Sequence, residues 1–214
     1  MQPITDKQRW FEISAVALTA IGKLVFMTWL PMRTVFIPVM ILFWLGYIWY
    51  RARQNGGILH YWGFRKDNFA KVFKMLLPLA IVSVTAFIGV GIWQESMILS
   101  WHILPILAFY PIWGTIQQFL VVGLVAANLQ NMENTQVSNP LIIILTSTLF
   151  GLVHYPHWLL VIGTFFLALV YVWVYLKEKN LFVLGLYHGW LGAFFFFFVL
   201  QRDAWLEFLE MIIQ

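Results

Sequence analysis

The polar side chains inside the long apolar runs are the residues of this sequence that could do chemistry. A polar group without a partner is costly in hydrocarbon, so those retained there indicate functional positions. The set contains an amide pair, Gln117 and Gln118, and three imidazoles, His154, His157 and His188. It also includes Thr146 and Ser147. Because imidazole exchanges protons near neutral pH and an amide does not, the histidines are the candidate acids and bases.

These residues fall in three short runs whose order and rough spacing match a known set of motifs. Residues 117–123 read QQFLVVG, residues 150–154 read FGLVH and residues 188–192 read HGWLG. Together they resemble the motifs of the CPBP family, the CAAX-protease and bacteriocin-processing (Abi) intramembrane proteins. The resemblance covers about the last hundred residues. It implies a helical membrane fold with a motif-bearing core over residues 111–200.

The second motif is intact, and the other two are altered. The family has a glutamate pair followed by an arginine, whereas Gln117 and Gln118 stand at the glutamate positions and Val122 at the arginine position. The third motif keeps His188, but Gly192 replaces its later polar residue. The resemblance therefore places the family-equivalent catalytic positions at Gln117, Gln118, His154 and His188.

The altered first motif bears directly on catalysis. The resemblance implies that the first glutamate acts as general base on a water, while the histidines hold the water and stabilise the oxyanion. A glutamine amide cannot accept a proton near working pH, so Gln117 cannot be that base. An arginine without its carboxylate would be a buried unpaired charge, which makes Val122 the expected companion of Gln118. We therefore expect a pseudoenzyme that acts as a binding, scaffold or accessory subunit in a membrane complex.

Two catalytic alternatives stay open at this point. In the first, the protein is an active CAAX-type intramembrane endopeptidase or another histidine-dependent membrane hydrolase, with His154 and His188 as base and oxyanion donor. In the second, His154, His157 and His188 bind zinc or iron, although Pro156 should break the helix between the first two. The main hypothesis needs no metal or other cofactor, and a lipid, a pigment or a metal ion remains open as a ligand.

The composition identifies the class of protein that must position these residues. The 214 residues are 62% hydrophobic and only 10% charged, where a soluble domain has about a quarter charged residues. Long stretches such as residues 96–132 contain no ionised side chain, and about 20 apolar residues span a bilayer. The chain is therefore expected to be an integral membrane protein with lipids, and other membrane subunits, as partners. In such a chain the net charge of +4 governs orientation, so nucleic acid is not an expected partner.

The apolar runs predict an all-α polytopic bundle that forms a single membrane domain over residues 1–214. About seven spans are expected, at residues 11–30, 34–50, 75–93, 111–129, 140–155, 157–176 and 181–200. Residues 98–110 should form a short broken or re-entrant helix that ends before Pro111. Lysine and arginine cluster in residues 51–74 and 177–179, which predicts a cytoplasmic N-terminus in a bacterial inner membrane.

Overall fold

The computed structural model describes residues 4–30 and 32–213, with side chains described up to residue 210. These residues form helices joined by short loops and contain no β-strand. The helices are α1 (Asp6–Lys23), α2 (Arg33–Gln54), α3 (Ile58–Trp62), α4 (Phe69–Trp93), α5 (Ile103–Gln118), α6 (Ala127–Gln130), α7 (Asn139–Leu152), α8 (Trp158–Glu178), α9 (Leu181–Phe198) and α10 (Ala204–Ile213). The π-helical segments Leu24–Trp29 and Phe119–Ala126 extend α1 and link α5 to α6.

Within the described residues, six helical segments are long and apolar enough to cross a membrane: Asp6–Trp29, Arg33–Gln54, Phe69–Trp93, Ile103–Gln130, Trp158–Glu178 and Leu181–Phe198. Helix α7 is also apolar, but its 14 residues are only about 21 Å long. The prediction of an all-α polytopic membrane protein is confirmed.

The expected break before Pro111 is wrong, because α5 continues through this proline. A proline inside a helix leaves the carbonyl four residues earlier without its usual donor, here that of Leu107. The indole Nε1–H of Trp190 donates to this carbonyl at 3.1 Å. The proline is therefore accommodated by a hydrogen bond from α9. Residues 98–102, which precede α5, are not helical.

The chain divides into two compact units, and a single domain over residues 1–214 stays a prediction. The first unit comprises Met1–Arg65 and Phe119–Lys179, and the second comprises Lys66–Gln118 and Asn180–Gln214. In the first unit, α7 packs mainly on α8, and α1 packs on the π-helical segment Phe119–Ala126. Val121, Phe150 and Ala168 are the buried residues of one of its apolar clusters.

A buried charged network joins α1, α2 and α6 in the first unit. The Glu12 carboxylate is fully buried and accepts hydrogen bonds from Tyr47 Oη at 2.5 Å and Asn128 Nδ2 at 2.6 Å. The guanidinium of Arg51 lies 3.3 Å from the same carboxylate and donates to Tyr47 Oη at 3.1 Å. Each buried charge therefore has both a counter-charge and hydrogen bonds, which is the condition for keeping it inside a membrane protein.

The second unit is built on α5, α9 and α4, with α9 packed against both of the others. Glycines let α5 and α9 approach closely. A Cβ atom at Gly185 would lie 2.5 Å from Thr115 Cα, and one at Gly189 would lie 2.7 Å from Pro111 Cα. A Cβ atom at Gly114 would lie 2.6 Å from the carbonyl oxygen of Gly185. Small residues of this kind are how membrane helices bring their backbones together.

We expect Glu12→Leu to destabilise the protein by about 3–5 kcal/mol, because Arg51 would be left as a buried charge without its carboxylate. Unfolding of the purified protein in detergent, followed by circular dichroism, measures this change. Glu133→Gln is the matched control, since the Glu133 side chain is 70% exposed and 3.5 Å from Arg9. The control should change stability by less than about 1 kcal/mol. Equal effects of the two variants would contradict a structural role for the Glu12 network.

We expect Gly185→Ala to destabilise the protein by about 1–3 kcal/mol, because the new methyl group meets the backbone of Thr115. Gly89→Ala in α4 is the control, since nothing lies within 4 Å of a Cβ atom there. It should be neutral or slightly stabilising, because alanine is the better helix former. The same unfolding measurement applies, and a neutral Gly185→Ala would show that the α5–α9 packing is looser than described.

Candidate functional site

The structure brings together two of the residues predicted from the motifs, Gln117 on α5 and His188 on α9. His188 Nε2 lies 2.8 Å from Gln117 Oε1, and His188 is buried. With the amide oxygen facing the ring, Nε2–H is the donor and the amide oxygen accepts. The bond forms because the two helices approach closely near these residues, where Gly114, Gly185 and Gly189 have no side chains to keep them apart. The two residues that the resemblance assigns to the first and third motifs are therefore hydrogen-bonded to each other.

Gln118, the second residue of the amide pair, is fully buried on α5. Neither atom of its amide has a hydrogen-bond partner among the residues that the structure describes. Burying an unpaired carboxylate costs far more than burying an unpaired amide. The environment of Gln118 therefore suits the amide better than the glutamate that the family motif has there.

The other altered motif positions are also explained by their surroundings. Val122 is fully buried in the π-helical segment Phe119–Ala126, where an arginine would need a counter-charge. A Cβ atom at Gly192 would lie 3.0 Å from Cε1 of the Tyr110 ring. The Tyr110 ring thus occupies the space that a polar side chain at position 192 would enter.

His154 lies in the first unit, in the turn that follows α7. Its Nδ1 is 2.8 Å from the Phe150 carbonyl oxygen, which can only accept, so Nδ1–H donates. Thr164 Oγ1 lies 3.2 Å from the same Nδ1 and donates its own proton to the Leu160 carbonyl at 2.6 Å. In the neutral ring, Nε2 is consequently the atom with the basic lone pair.

Lys23 contacts the same turn from α1. Its ammonium donates a hydrogen bond to the carbonyl oxygen of Val153, the residue before His154. Lys23 and Thr164 are the site neighbours that motif reasoning did not identify. The signal for Lys23 was a lysine well inside the first apolar run, and the signal for Thr164 was a hydroxyl within an apolar span.

The motif resemblance implies that Gln117, His154 and His188 share one site. This stays a prediction, because His154 belongs to the first unit and the other two to the second. His157 is exposed at the N-cap of α8, and Pro156 separates it from the α7 turn. Among residues 4–30 and 32–213, no group of three or more His, Cys, Asp or Glu side chains could hold a metal ion.

Comparison with known proteins places these residues in a family. A family model for type II CAAX prenyl endopeptidase Rce1-like proteins matches residues 76–194, more than half of the chain. The matched region contains Gln117, His154 and His188 and confirms the resemblance seen in the motifs. No curated protein and no solved structure gave a match. The chain therefore belongs to the Rce1-like family of type II CAAX prenyl endopeptidases, an integral membrane family to which its apolar helices also conform.

Proposed function

We propose that this member of the CAAX endopeptidase family does not hydrolyse peptide bonds and acts as a binding, scaffold or accessory subunit in a membrane complex. The observation that carries the proposal is the 2.8 Å hydrogen bond between His188 and the amide of Gln117. A carboxylate at position 117 would accept a proton from water, whereas the amide only fixes the ring. Such a pair retains the architecture of the site without its base.

The surrounding helices do not offer a replacement carboxylate. Helices α4, α5 and α9, which build the second unit, contain no aspartate or glutamate. In the C-terminal segment of the same unit, Asp203 accepts a hydrogen bond from the His102 ring, and Glu207 forms an ion pair with Arg202. Glu12, the one fully buried glutamate among the described side chains, is bound to Tyr47, Arg51 and Asn128. This distribution of acidic groups supports a role other than general-base hydrolysis.

A second candidate function is a histidine-dependent membrane hydrolase. The hydrogen bond from His154 Nδ1–H to the Phe150 carbonyl favours it, because this bond directs the basic lone pair to Nε2. Such a bond from the far nitrogen of the ring is the usual way in which proteins orient a catalytic imidazole. In this candidate His154 replaces the missing carboxylate as base.

The proposed location is a bacterial inner membrane with a cytoplasmic N-terminus. Contacts within the first unit support this orientation. The carboxylate of Asp6, at the start of α1, accepts bonds from the backbone N–H groups of Glu133 and Asn134. At the end of α8, the Lys179 ammonium lies 4.9 Å from the ring centroid of Tyr61. Lysine and arginine favour the cytoplasmic side of a membrane. The helix ends that carry Arg53, Tyr61 and Lys179 are therefore assigned to the cytoplasmic side. Lipids and other membrane subunits are the proposed partners, with no required cofactor.

Purified wild-type protein should give no turnover of prenylated or leader-type peptides, because an amide at position 117 removes a general-base contribution of roughly 10²- to 10⁴-fold. Peptide cleavage in detergent micelles, followed by mass spectrometry, measures this. A triple variant restores the charges of the family motif and is the variant most able to gain activity; it combines Gln117→Glu, Gln118→Glu and Val122→Arg. The wild type should instead copurify in stoichiometric amount with other membrane subunits.

The controls for this experiment are His154→Ala and His188→Ala. Wild-type turnover that survives stringent purification and disappears in either variant would overturn the non-catalytic proposal. Loss in His154→Ala alone would favour the histidine-dependent hydrolase. Loss of a copurifying subunit without any turnover would support the proposal.

Single cysteines should report the proposed orientation cleanly, since the chain has no native cysteine. Arg53→Cys and Lys177→Cys should react with a membrane-impermeant maleimide only after the cytoplasmic side is opened. Glu210→Cys in α10 should react in intact cells, because the seven predicted spans, with α7 as the fifth, alternate and leave the tail outside. Labelling of the first two from opposite faces would contradict the topology.

A further inference from the structure

Lys179 ends α8 in a backbone conformation that lysine rarely adopts. Its φ is 48° and its ψ is 65°, in the left-handed region, and its N–H donates to the Tyr175 carbonyl at 2.9 Å. Helices commonly end in this conformation at glycine or asparagine, which bear it at lower cost. Backbone strain of this kind collects at functional sites. A lysine in this conformation therefore indicates a functional role for its side chain.

The Lys179 ammonium has no acceptor within the part of the chain that the structure describes. The side chain is half-buried, and its Nζ lies over the ring of Tyr61 without a hydrogen bond or an ion pair. Burial, and then the positive charge of Arg65, lower the pKa of this ammonium. Among the described residues, Lys179 thus has an aromatic ring and a like charge beside it, but no acceptor for its ammonium.

The frame around Lys179 is closely packed. Gly63, which ends α3 with a φ of 97°, faces Lys179, and a Cβ atom there would lie 2.8 Å from the Lys179 carbonyl oxygen. Tyr175 Oη donates to the Trp62 carbonyl at 2.8 Å. These contacts fix the turn after α3 against the turn after α8. Tyr61 and Lys179 are therefore presented by a preorganised pair of turns.

Neighbouring side chains indicate that this end of the first unit lies at the level of lipid headgroups. The Lys177 ammonium lies 3.9 Å from the ring centroid of Trp173, and the Arg53 guanidinium lies 4.2 Å from that of Trp49. All four side chains are exposed at the ends of α8 and α2. Tryptophan paired with a nearby cation is typical of the interface between hydrocarbon and water.

We propose that Lys179, beside the ring of Tyr61, binds the phosphate of an anionic phospholipid. Charge complementarity carries the choice of occupant, because the phosphate would supply the acceptor that Lys179 lacks and would relieve its repulsion by Arg65. A zwitterionic choline lipid fits less well, since its quaternary ammonium would add a third positive charge. The lipid site does not depend on the motif residues. Only the membrane leaflet in which the bound lipid lies rests on the orientation proposed above.

Native mass spectrometry of the full chain in mixed micelles tests the site, with phosphatidylglycerol and phosphatidylcholine as probes. Lys179→Gly removes the cation and suits the left-handed backbone, so the fold should be retained. It should weaken phosphatidylglycerol binding about fivefold and leave phosphatidylcholine binding unchanged. Lys179→Asn, which also tolerates this conformation, should give the same loss. Lys177→Gln is the matched control and should bind as the wild type does.

Three results would overturn the proposal. Phosphatidylglycerol binding by Lys179→Gly equal to that of the wild type would show that Lys179 does not contribute. An equal loss in Lys177→Gln would show unspecific attraction by surface charge. Displacement of bound lipid by inorganic phosphate would assign the site to free phosphate instead of a membrane lipid. A loss confined to the two Lys179 variants and resistant to phosphate supports the lipid site.

Discussion

The close approach of α5 and α9 is the constraint on which the second unit depends. Helices in a membrane gain little from hydrophobic attraction, so they associate through packing and hydrogen bonds. Gly185 and Gly189 remove the side chains that would keep α9 away from Thr115 and Pro111. Trp190 then reaches the Leu107 carbonyl that Pro111 leaves without a donor, and His188 reaches Gln117. The polar contact at the motif residues is thus a consequence of glycine packing, and it does not need a charged residue to form.

The same constraint explains how the site can lose its charges and keep its shape. Glutamine and glutamate have nearly the same size, and an amide oxygen accepts the hydrogen bond of a histidine as a carboxylate would. The buried Gln118, without a partner among the described residues, would be costly as a carboxylate. Val122 is fully buried and needs no counter-charge. At each of these positions a neutral side chain avoids a buried charge without a partner.

The sequence predicted the features that depend on composition along the chain and missed those that depend on distant partners. Charge-free runs located the membrane helices. The motif pattern identified the family without information on the contact of Gln117 with His188. Pro111 was misread as a break because its compensation comes from Trp190, far along the chain. Glu12 gave no sign of its partners, since Tyr47, Arg51 and Asn128 come from two other helices. Lys23 was visible as a charge in a span, but its contact with the turn before His154 requires the fold.

The first helix shows why the protein should be considered as more than its motif-bearing core. Helix α1 lies outside the region matched by the family model, yet three polar contacts tie it to elements within that region. Asp6 binds the N–H groups of Glu133 and Asn134, Glu12 binds Asn128, and Lys23 binds the Val153 carbonyl. Because a charge buried in a membrane is costly unless it is paired, these contacts fix α1 along its length. The retained charges of the first unit therefore hold helices together, while the positions where the family places its catalytic charges are neutral. This separation supports the proposal that the protein acts by association, since function resides in the chemistry of a site and not in the fold that carries it.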